Sequence, residues 1–538
     1  LQEQKTQNFI KSTAILAITS IIVRFIGAIY KIPLFIILDR AGTGAFQVTY
    51  NVYNLALNIA TAGVPVALSR MVSSAAAEGQ SDLVKRYFKV AMPAFVAIGV
   101  AAMLIMLLLS KEIAALMNNT LAAPGIQVLA PSVLFMCIIS VYRGYAQGFE
   151  NMMPTAVSQT VEALSKAAFG IAIAYLLARA GYEVQYVSAG GILGVTIGLG
   201  LCVPILMWYK RKIDSSMIIE AKPQKLPSSM QILGKLMLVS IPITLGSSIY
   251  ALVTVIDNSV AQGRLQNILM LSEIESSSQF GLLTYGTTLY NLPASLIVPV
   301  AISLVPAIAS ALAKGDGNEA RGIMQTSVKL MNLFAMPACA GLMVLSGPIM
   351  IALFSQWDKL AANILSVLAV AAFFLCFQLV TTAILQANGN ERLPLLSIPI
   401  GGALKIILSY ILVGKPQIGI LGSAIGSLAC YIAICSLNLV FIKNKVAQSP
   451  NFINAFSKPL LCSTIMALVA RVAYNIIYRL GSSFIGASRS AVIVFLAIAI
   501  IIAVTVYGLL IILTGTITKD ELSLVTKSEK IAKILRVK

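Results

Sequence analysis

The sequence predicts an all-α, polytopic membrane protein of about fourteen transmembrane helices, and three observations carry that expectation. Hydrophobic residues make up 58% of the 538-residue chain and charged residues only 11%, against roughly 25% charged in a soluble domain. Mean hydropathy is +0.89. Apolar runs long enough to cross a bilayer, about 20 residues each, recur along nearly the whole length.

In chain order the runs fall at 9–38, 44–69, 90–110, 123–147, 155–178, 186–208, 236–258, 279–310, 328–346, 360–386, 393–414, 418–442, 459–478 and 490–514. The first is too long for a cleavable signal peptide and carries Arg24 at its middle. With the N-terminus inside, the inner loops hold most of the Lys and Arg, including Lys210, Arg211, Lys212, Lys222 and Lys225 before the seventh run. The positive-inside rule then places both termini on the cytoplasmic side of the membrane. A net charge of +19 would raise nucleic acid as a partner in a soluble chain. Here the cations sit in short loops between apolar runs, so the charge reads as topology and no nucleic acid is expected.

The two halves of the chain resemble each other. Val64-Pro65-Val66-Ala67-Leu68-Ser69 closes the second run and Val298-Pro299-Val300-Ala301-Ile302-Ser303 lies in the eighth. Ala91-Met92-Pro93-Ala94 recurs as Ala335-Met336-Pro337-Ala338 in the third and ninth. Gly191-Ile192-Leu193-Gly194 with Ile197-Gly198 recurs as Gly419-Ile420-Leu421-Gly422 with Ile425-Gly426 at the sixth and twelfth. The expected organisation is two six-helix lobes in parallel repeat, 1–208 and 236–442, joined by a basic cytoplasmic linker at 209–235. Two further helices at 459–514 and a basic cytoplasmic tail at 515–538 follow. Parallel repeats about an axis normal to the membrane are a transporter architecture.

A cation at the bilayer centre costs roughly 2.5 to 3.5 kcal/mol on insertion scales, so it persists where it faces a wet cavity or a counter-charge. Arg24, Lys31, Arg143, Lys166, Lys405 and Arg471 lie within the runs. Arg24 and Lys31 are two helical turns apart and share a face, which suits a polyanion such as a diphosphate. Lys166 and Lys405 hold equivalent places in the two lobes and form an expected pair; Glu162, one turn before Lys166, is alternatively its neutraliser. Arg143, near the inner end of the fourth run, either joins the cavity or snorkels to the surface. The second run carries Tyr50, Tyr53 and a stripe of Asn51, Asn54 and Asn58 at i, i+3 and i+7. Either these bind sugar or diphosphate, or they bond between helices. Tyr290-Asn291-Leu292 echoes Tyr53-Asn54-Leu55, which adds Asn291 to the expected cavity lining. Glu162 and Asp257 are the candidates for ion coupling, with Asp257 alternatively an interfacial partner of Arg264.

No catalytic constellation is expected. Histidine is absent and the seven cysteines fall inside apolar runs without a CxxC pair, so they read as small buried hydrophobes and no metal site or cofactor is expected. No phosphate-binding GxxxxGK[ST] loop is present, so transport would be driven by a coupling ion or the membrane potential. The tail from Thr516 to Lys538 sets Leu522, Val525, Ile531 and Leu535 among lysines, a pattern for lying on anionic membrane lipid.

Arg143-Gly144-Tyr145-Ala146-Gln147-Gly148, followed by Met153-Pro154-Thr155-Ala156-Val157-Ser158-Gln159 and Glu162, resembles a signature of bacterial polysaccharide-lipid exporters. Arg24-Phe25-Ile26-Gly27 and Gly63-Val64-Pro65-Val66-Ala67-Leu68-Ser69 fit the same branch. That branch is the stage V sporulation protein B and YtgP-like group, related to MurJ-type lipid II flippases in the multidrug/oligosaccharidyl-lipid/polysaccharide exporter superfamily. The resemblance spans about 9–514. It implies a V-shaped pair of lobes that flips an undecaprenyl-diphosphate-linked saccharide, lipid II or a related precursor, from inner to outer leaflet. It also implies a groove for the lipid tail at the last two helices and a diphosphate held by arginines on spans 1, 2 and 8. Arg24 matches the first of these arginines, whereas spans 2 and 8 carry asparagine and tyrosine, which keeps other lipid-linked saccharides open. Two other readings stand beside it. One is an ion-coupled multidrug exporter of the related extrusion group, whose cavity would favour acids; the other is a non-transporting scaffold in a cell-wall or sporulation assembly.

Overall fold

The computed structural model describes residues 19, 22–61, 63–216, 227–486 and 488–515. The expected basic tail at 515–538, apart from its first residue, and the middle of the 209–235 linker lie outside them. Every regular element among the described residues is helical. Twelve of the helices are long and apolar enough to cross a membrane. The expected first two spans are not among these twelve: part of the first lies outside the described residues, and the second carries the asparagine stripe.

Helical residues 22–29 lead into α1 (Lys31–Thr61), which is broken at Asp39, where φ is 53° and ψ is −169°. A non-glycine residue is rarely found there, and the Thr43 hydroxyl donates to the Asp39 carbonyl at 2.6 Å across the break. One residue therefore separates the first two spans. The expected second span at 44–69 is corrected: helix stops at Thr61, and α2 (Val64–Ala77) starts anew with Pro65 in its first turn. Proline belongs at that position because it has no N–H to donate backwards. The matching Val298-Pro299 segment lies inside a continuous helix, so the repeat of sequence is not a repeat of backbone there.

The next helices are α3 (Ser81–Leu108), α4 (Ser110–Leu116), α5 (Ala123–Gly148), α6 (Met153–Arg179), α7 (Val184–Ser216), α8 (Ser229–Asn267) and α9 (Glu273–Ala313). They are followed by α10 (Gly317–Val344), α11 (Ser346–Phe354), α12 (Lys359–Ala387), α13 (Pro394–Val413), α14 (Leu421–Lys445), α15 (Phe452–Ile485) and α16 (Arg489–Leu513). The repeated Ala-Met-Pro-Ala sits mid-helix in α3 and α10, and each of these is followed by a short helix, α4 or α11.

The chain forms two compact units, the first ending at Gly281 and the second beginning at Leu282. In the first, α5 packs on α2, α3 and α7, α6 lies along α7, and α1 crosses α5, α7 and α8. The start of α9 crosses α1 at glycines: a Cβ on Gly281 would stand 2.0 Å from the Arg40 carbonyl oxygen, and one on Gly44 2.1 Å from that of Ser277. Gly281→Val is therefore expected to lower the melting temperature, with a cost of about 1 to 3 kcal/mol for an overfilled contact. Thermal unfolding of the purified variant checks it.

A polar seam ties the turn after α4 to α8 and α9. Asn119 donates to Gln262 Oε1 at 2.9 Å and to Ser277 Oγ at 3.2 Å, Asn118 donates to the Ser259 carbonyl at 3.0 Å, and Glu273 accepts from the Thr120 amide and hydroxyl. In the second unit α10, α12 and α14 close on the later half of α9 around an apolar core that includes Ile297, Met331, Val380 and Ile384. Helix α15 packs on α10 and α16, and Arg471 on α15 donates to the Val344 carbonyl at 3.1 Å. All seven cysteines are buried thiols, as expected for small core residues.

Candidate functional site

The first unit gathers charge and aromatic rings where α1, α5 and α6 meet. Glycines bring the helices close. On α7 a Cβ at Gly194 would lie 2.9 Å from the Lys166 carbonyl oxygen, and one at Gly198 3.1 Å from that of Glu162. Only residues without a side chain allow α6 to lie this near, and that contact sets Glu162 and Lys166 in place. In the second unit a Cβ on Gly426, the counterpart of Gly198 in the sequence repeat, would stand 3.0 Å from the Lys405 carbonyl oxygen. A repeated glycine thus approaches the lysine-bearing helix of each half, at Glu162 in the first and at Lys405 in the second.

The side chains divide into two sets. In the first, Lys31 Nζ lies 5.3 Å from the centre of the Tyr50 ring and 5.9 Å from that of Phe35. Lys166 Nζ lies 5.3 Å from the Tyr30 ring, with Tyr50 beside it. The two ammonium groups are close enough to repel each other. Aromatic faces offset part of that repulsion, each cation–π contact contributing about 0.5 to 2 kcal/mol. The Tyr30 hydroxyl is buried with no hydrogen-bond partner among the described residues, and Tyr50 stacks on Phe46 with ring centres 6.0 Å apart.

In the second set, Arg143 on α5 donates through Nε to Ser158 Oγ at 2.9 Å and through a terminal nitrogen to Glu162 Oε2 at 3.4 Å. The two side chains are 10% and 23% exposed. Arg143 is therefore a buried tie between α5 and α6, and the snorkelling alternative is corrected. Glu162 is engaged by Arg143, so its expected role as neutraliser of Lys166 is at most shared. Since that pair cancels, the ammonium charges of Lys31 and Lys166 remain as the local excess.

The other expected residues are placed as follows. Arg24 is exposed on the helical stretch 22–29, outside the contacts that join Lys31 to Lys166. Asn51 is buried and accepts from Gln47 at 2.8 Å, while Asn54 and Asn58 are half-buried on the same helix. Asn291 is exposed and donates to the Thr287 carbonyl of its own helix at 2.7 Å. Beside it Tyr290 is buried, with its hydroxyl 3.1 Å from that of Tyr431. Lys405 is half-buried in the second unit, and Asp257 is buried, at 1% exposed. No group of three His, Cys, Asp or Glu side chains arranged for a metal occurs among the described residues. Sequence reasoning missed Tyr30 and the meeting of Lys31 with Lys166; neither has a local signature, because the partners lie far apart in the chain.

A multi-pass helical bundle that keeps two ammonium groups among tyrosines in one unit has the form of a membrane transporter. Residues 9–312 match the family model described as polysaccharide biosynthesis protein, and 242–411 match the MatE model. The chain belongs to the polysaccharide biosynthesis protein family, within the multidrug/oligosaccharidyl-lipid/polysaccharide exporter superfamily. It is 26% identical to the lipid II flippase MurJ of Bacillus subtilis (strain 168), over 93% of this chain and 95% of that one. It is 25% identical to stage V sporulation protein B of the same organism, over 96% and 97%. A solved structure of lipid II flippase MurJ in an inward closed conformation superposes with a TM-score of 0.68 at 16% identity, covering 92% of this chain and 97% of that one.

Proposed function

We propose that the protein flips an undecaprenyl-diphosphate-linked saccharide, lipid II or a related polysaccharide precursor, from the inner to the outer leaflet by alternating access. One observation carries the reading: Lys31 and Lys166 converge with Tyr30 and Tyr50 while Arg143 already engages the nearby carboxylate. Two ammonium charges match the two negative charges of a diphosphate diester. A cationic drug would meet the wrong sign there, which disfavours the multidrug alternative. A scaffold without a ligand would carry the cost of two neighbouring half-buried cations with no return, which disfavours the third reading.

In this proposal Lys31 and Lys166 hold the diphosphate, with Arg24 at the approach and Lys405 as the counterpart in the second lobe. Asn51, Asn54, Asn58 and Asn291 bond the saccharide or its water. Glu162 and Asp257 are the residues through which a coupling ion or the membrane potential would act. The two lobes 1–208 and 236–442 rock against each other, both termini are cytoplasmic, and the basic tail rests on anionic lipid. The similarity to MurJ and to stage V sporulation protein B supports the substrate class.

Binding to the purified protein tests it. A diphosphate-linked lipid is expected to bind and to be displaced by inorganic diphosphate at high concentration, and a cationic dye is expected to bind poorly. Tighter binding of the dye would favour the multidrug reading. Orientation is tested separately: Ser215→Cys, on the exposed end of α7, should react with a membrane-impermeant reagent only once the cytoplasmic side is opened. Labelling in intact cells would reverse the leaflets.

A further inference from the structure

The second unit has at its surface an open depression, lined by mostly exposed polar residues, that the proposed transport cycle does not use. It has a volume of about 450 Å³ and is lined by Asn318, Arg321, Gly322, Gln325 and Asn451. That volume falls within the roughly 300 to 1,000 Å³ of ordinary ligand pockets. Asn318, Arg321, Gly322 and Gln325 occupy the first two turns of α10 at i, i+3, i+4 and i+7, so one helical face supplies four of the five lining residues.

The wall opposite is fixed. Gln325 clasps the residue before α15 with both ends of its amide, donating to the Asn451 carbonyl at 2.9 Å and accepting from the Asn451 amide at 2.6 Å. Two turns deeper, Asn332 donates to the Ala455 carbonyl at 3.0 Å. Beneath these contacts Phe452 and Phe456 pack against Phe377, with ring centres 5.8 and 5.2 Å apart, at one end of the apolar core. The cavity therefore sits where membrane-spanning helices begin, polar above and apolar below. Its lining has one charge, the Arg321 guanidinium, accompanied by the side-chain amide of Asn318. Gly322 leaves the space open, since a Cβ there would meet nothing within 4 Å.

We propose that this cavity binds the phosphate of an anionic phospholipid headgroup, with Arg321 as the charged ligand and Asn318 as a hydrogen-bond donor. A planar guanidinium grips two phosphate oxygens at once. Basic pockets between membrane helices at the bilayer surface are a recurring form of headgroup site. A free phosphate has the same chemistry, but the position at the start of α10 and α15 favours a headgroup delivered from the bilayer.

The test uses the full chain in detergent, titrated with phosphatidylglycerol, phosphatidylcholine or inorganic phosphate, and reads both binding and melting temperature. Phosphatidylglycerol is expected to bind and to raise the melting temperature, and phosphatidylcholine to do neither. Arg321→Ala should weaken phosphatidylglycerol binding roughly tenfold or more, as for loss of a charge-assisted contact, and Arg321→Lys should restore part of it. Gly322→Leu fills the space with the charge intact and should weaken binding to a similar degree. An equal response to inorganic phosphate would keep the anion site and assign it to the free ion. Unchanged binding in Gly322→Leu would overturn the pocket, leaving only surface charge, and unchanged binding in Arg321→Ala would overturn the site altogether.

Discussion

Replacing Lys166 by alanine is expected to lower the affinity for a diphosphate-linked lipid by about one to two orders of magnitude. The expected loss corresponds to one charge-assisted contact of roughly 1.5 to 3 kcal/mol removed from a half-buried site. Lys166 stands over the Tyr30 ring and Lys31 over that of Tyr50, so each substitution deletes one charge from the same aromatic cluster. Lys31→Ala should cost a similar factor, and the double variant should lose more than either single one. Tyr50→Phe keeps both charges and the ring, and a drop of only a few-fold is expected. A purely structural role predicts another pattern, in which melting temperature falls while the affinity of the surviving protein stays the same. Lipid binding and thermal unfolding on the same preparation separate the two, and an unchanged affinity in the double variant would remove the lysine pair from the site.

The second large effect concerns stability. Arg143→Met is expected to destabilise the first unit by about 3 kcal/mol or more, because breaking a buried ion pair strands the remaining charge. The stranded group is Glu162, 23% exposed, whose residual solvation and nearby Lys166 hold the loss towards the lower end of that range. Ser158 also loses the donor that reaches it at 2.9 Å. Combining Arg143→Met with Glu162→Met should recover much of the loss, since two apolar groups replacing a buried pair are often close to neutral. The double-mutant cycle measures this coupling directly. Additive losses from the two single substitutions would mean that the pair does not act as a unit.

The spans were legible because the bilayer imposes a simple physical demand. Twenty apolar residues in a row have few alternatives to a membrane helix, and twelve of the expected spans correspond to helices that meet that demand. The breaks were harder to read. The break at Asp39 falls in the gap expected between the first two spans, whereas the Val64-Pro65 segment opens a helix in one half while its counterpart continues one in the other. Proline is compatible with both a helix start and a helix interior whose lost bond is compensated, so its presence alone does not decide. The candidate site was legible as a list of residue types. Intramembrane lysines and a polar stripe stand out against an apolar background for energetic reasons.

What the list lacked was pairing. Arg24 and Lys31 share a helical face in the sequence, yet the described contacts of Lys31 run to Tyr50 and Phe35, not to Arg24. Lys31 and Lys166 are separated by most of a lobe, and no local pattern predicts that they approach each other. By itself the sequence determined that the chain is a helical membrane protein, that its halves repeat, and which charged residues must find special surroundings, since hydropathy and helical period are local properties. Only the tertiary structure decided which groups meet. The close contact of α6 with the glycines of α7 places Lys166 against Tyr30 and Tyr50, while Arg143 rather than Lys166 takes Glu162 in an ion pair. Those outcomes depend on helix separations of a few ångströms, which are set by packing between segments distant in the chain and not by the order of residues within any one of them.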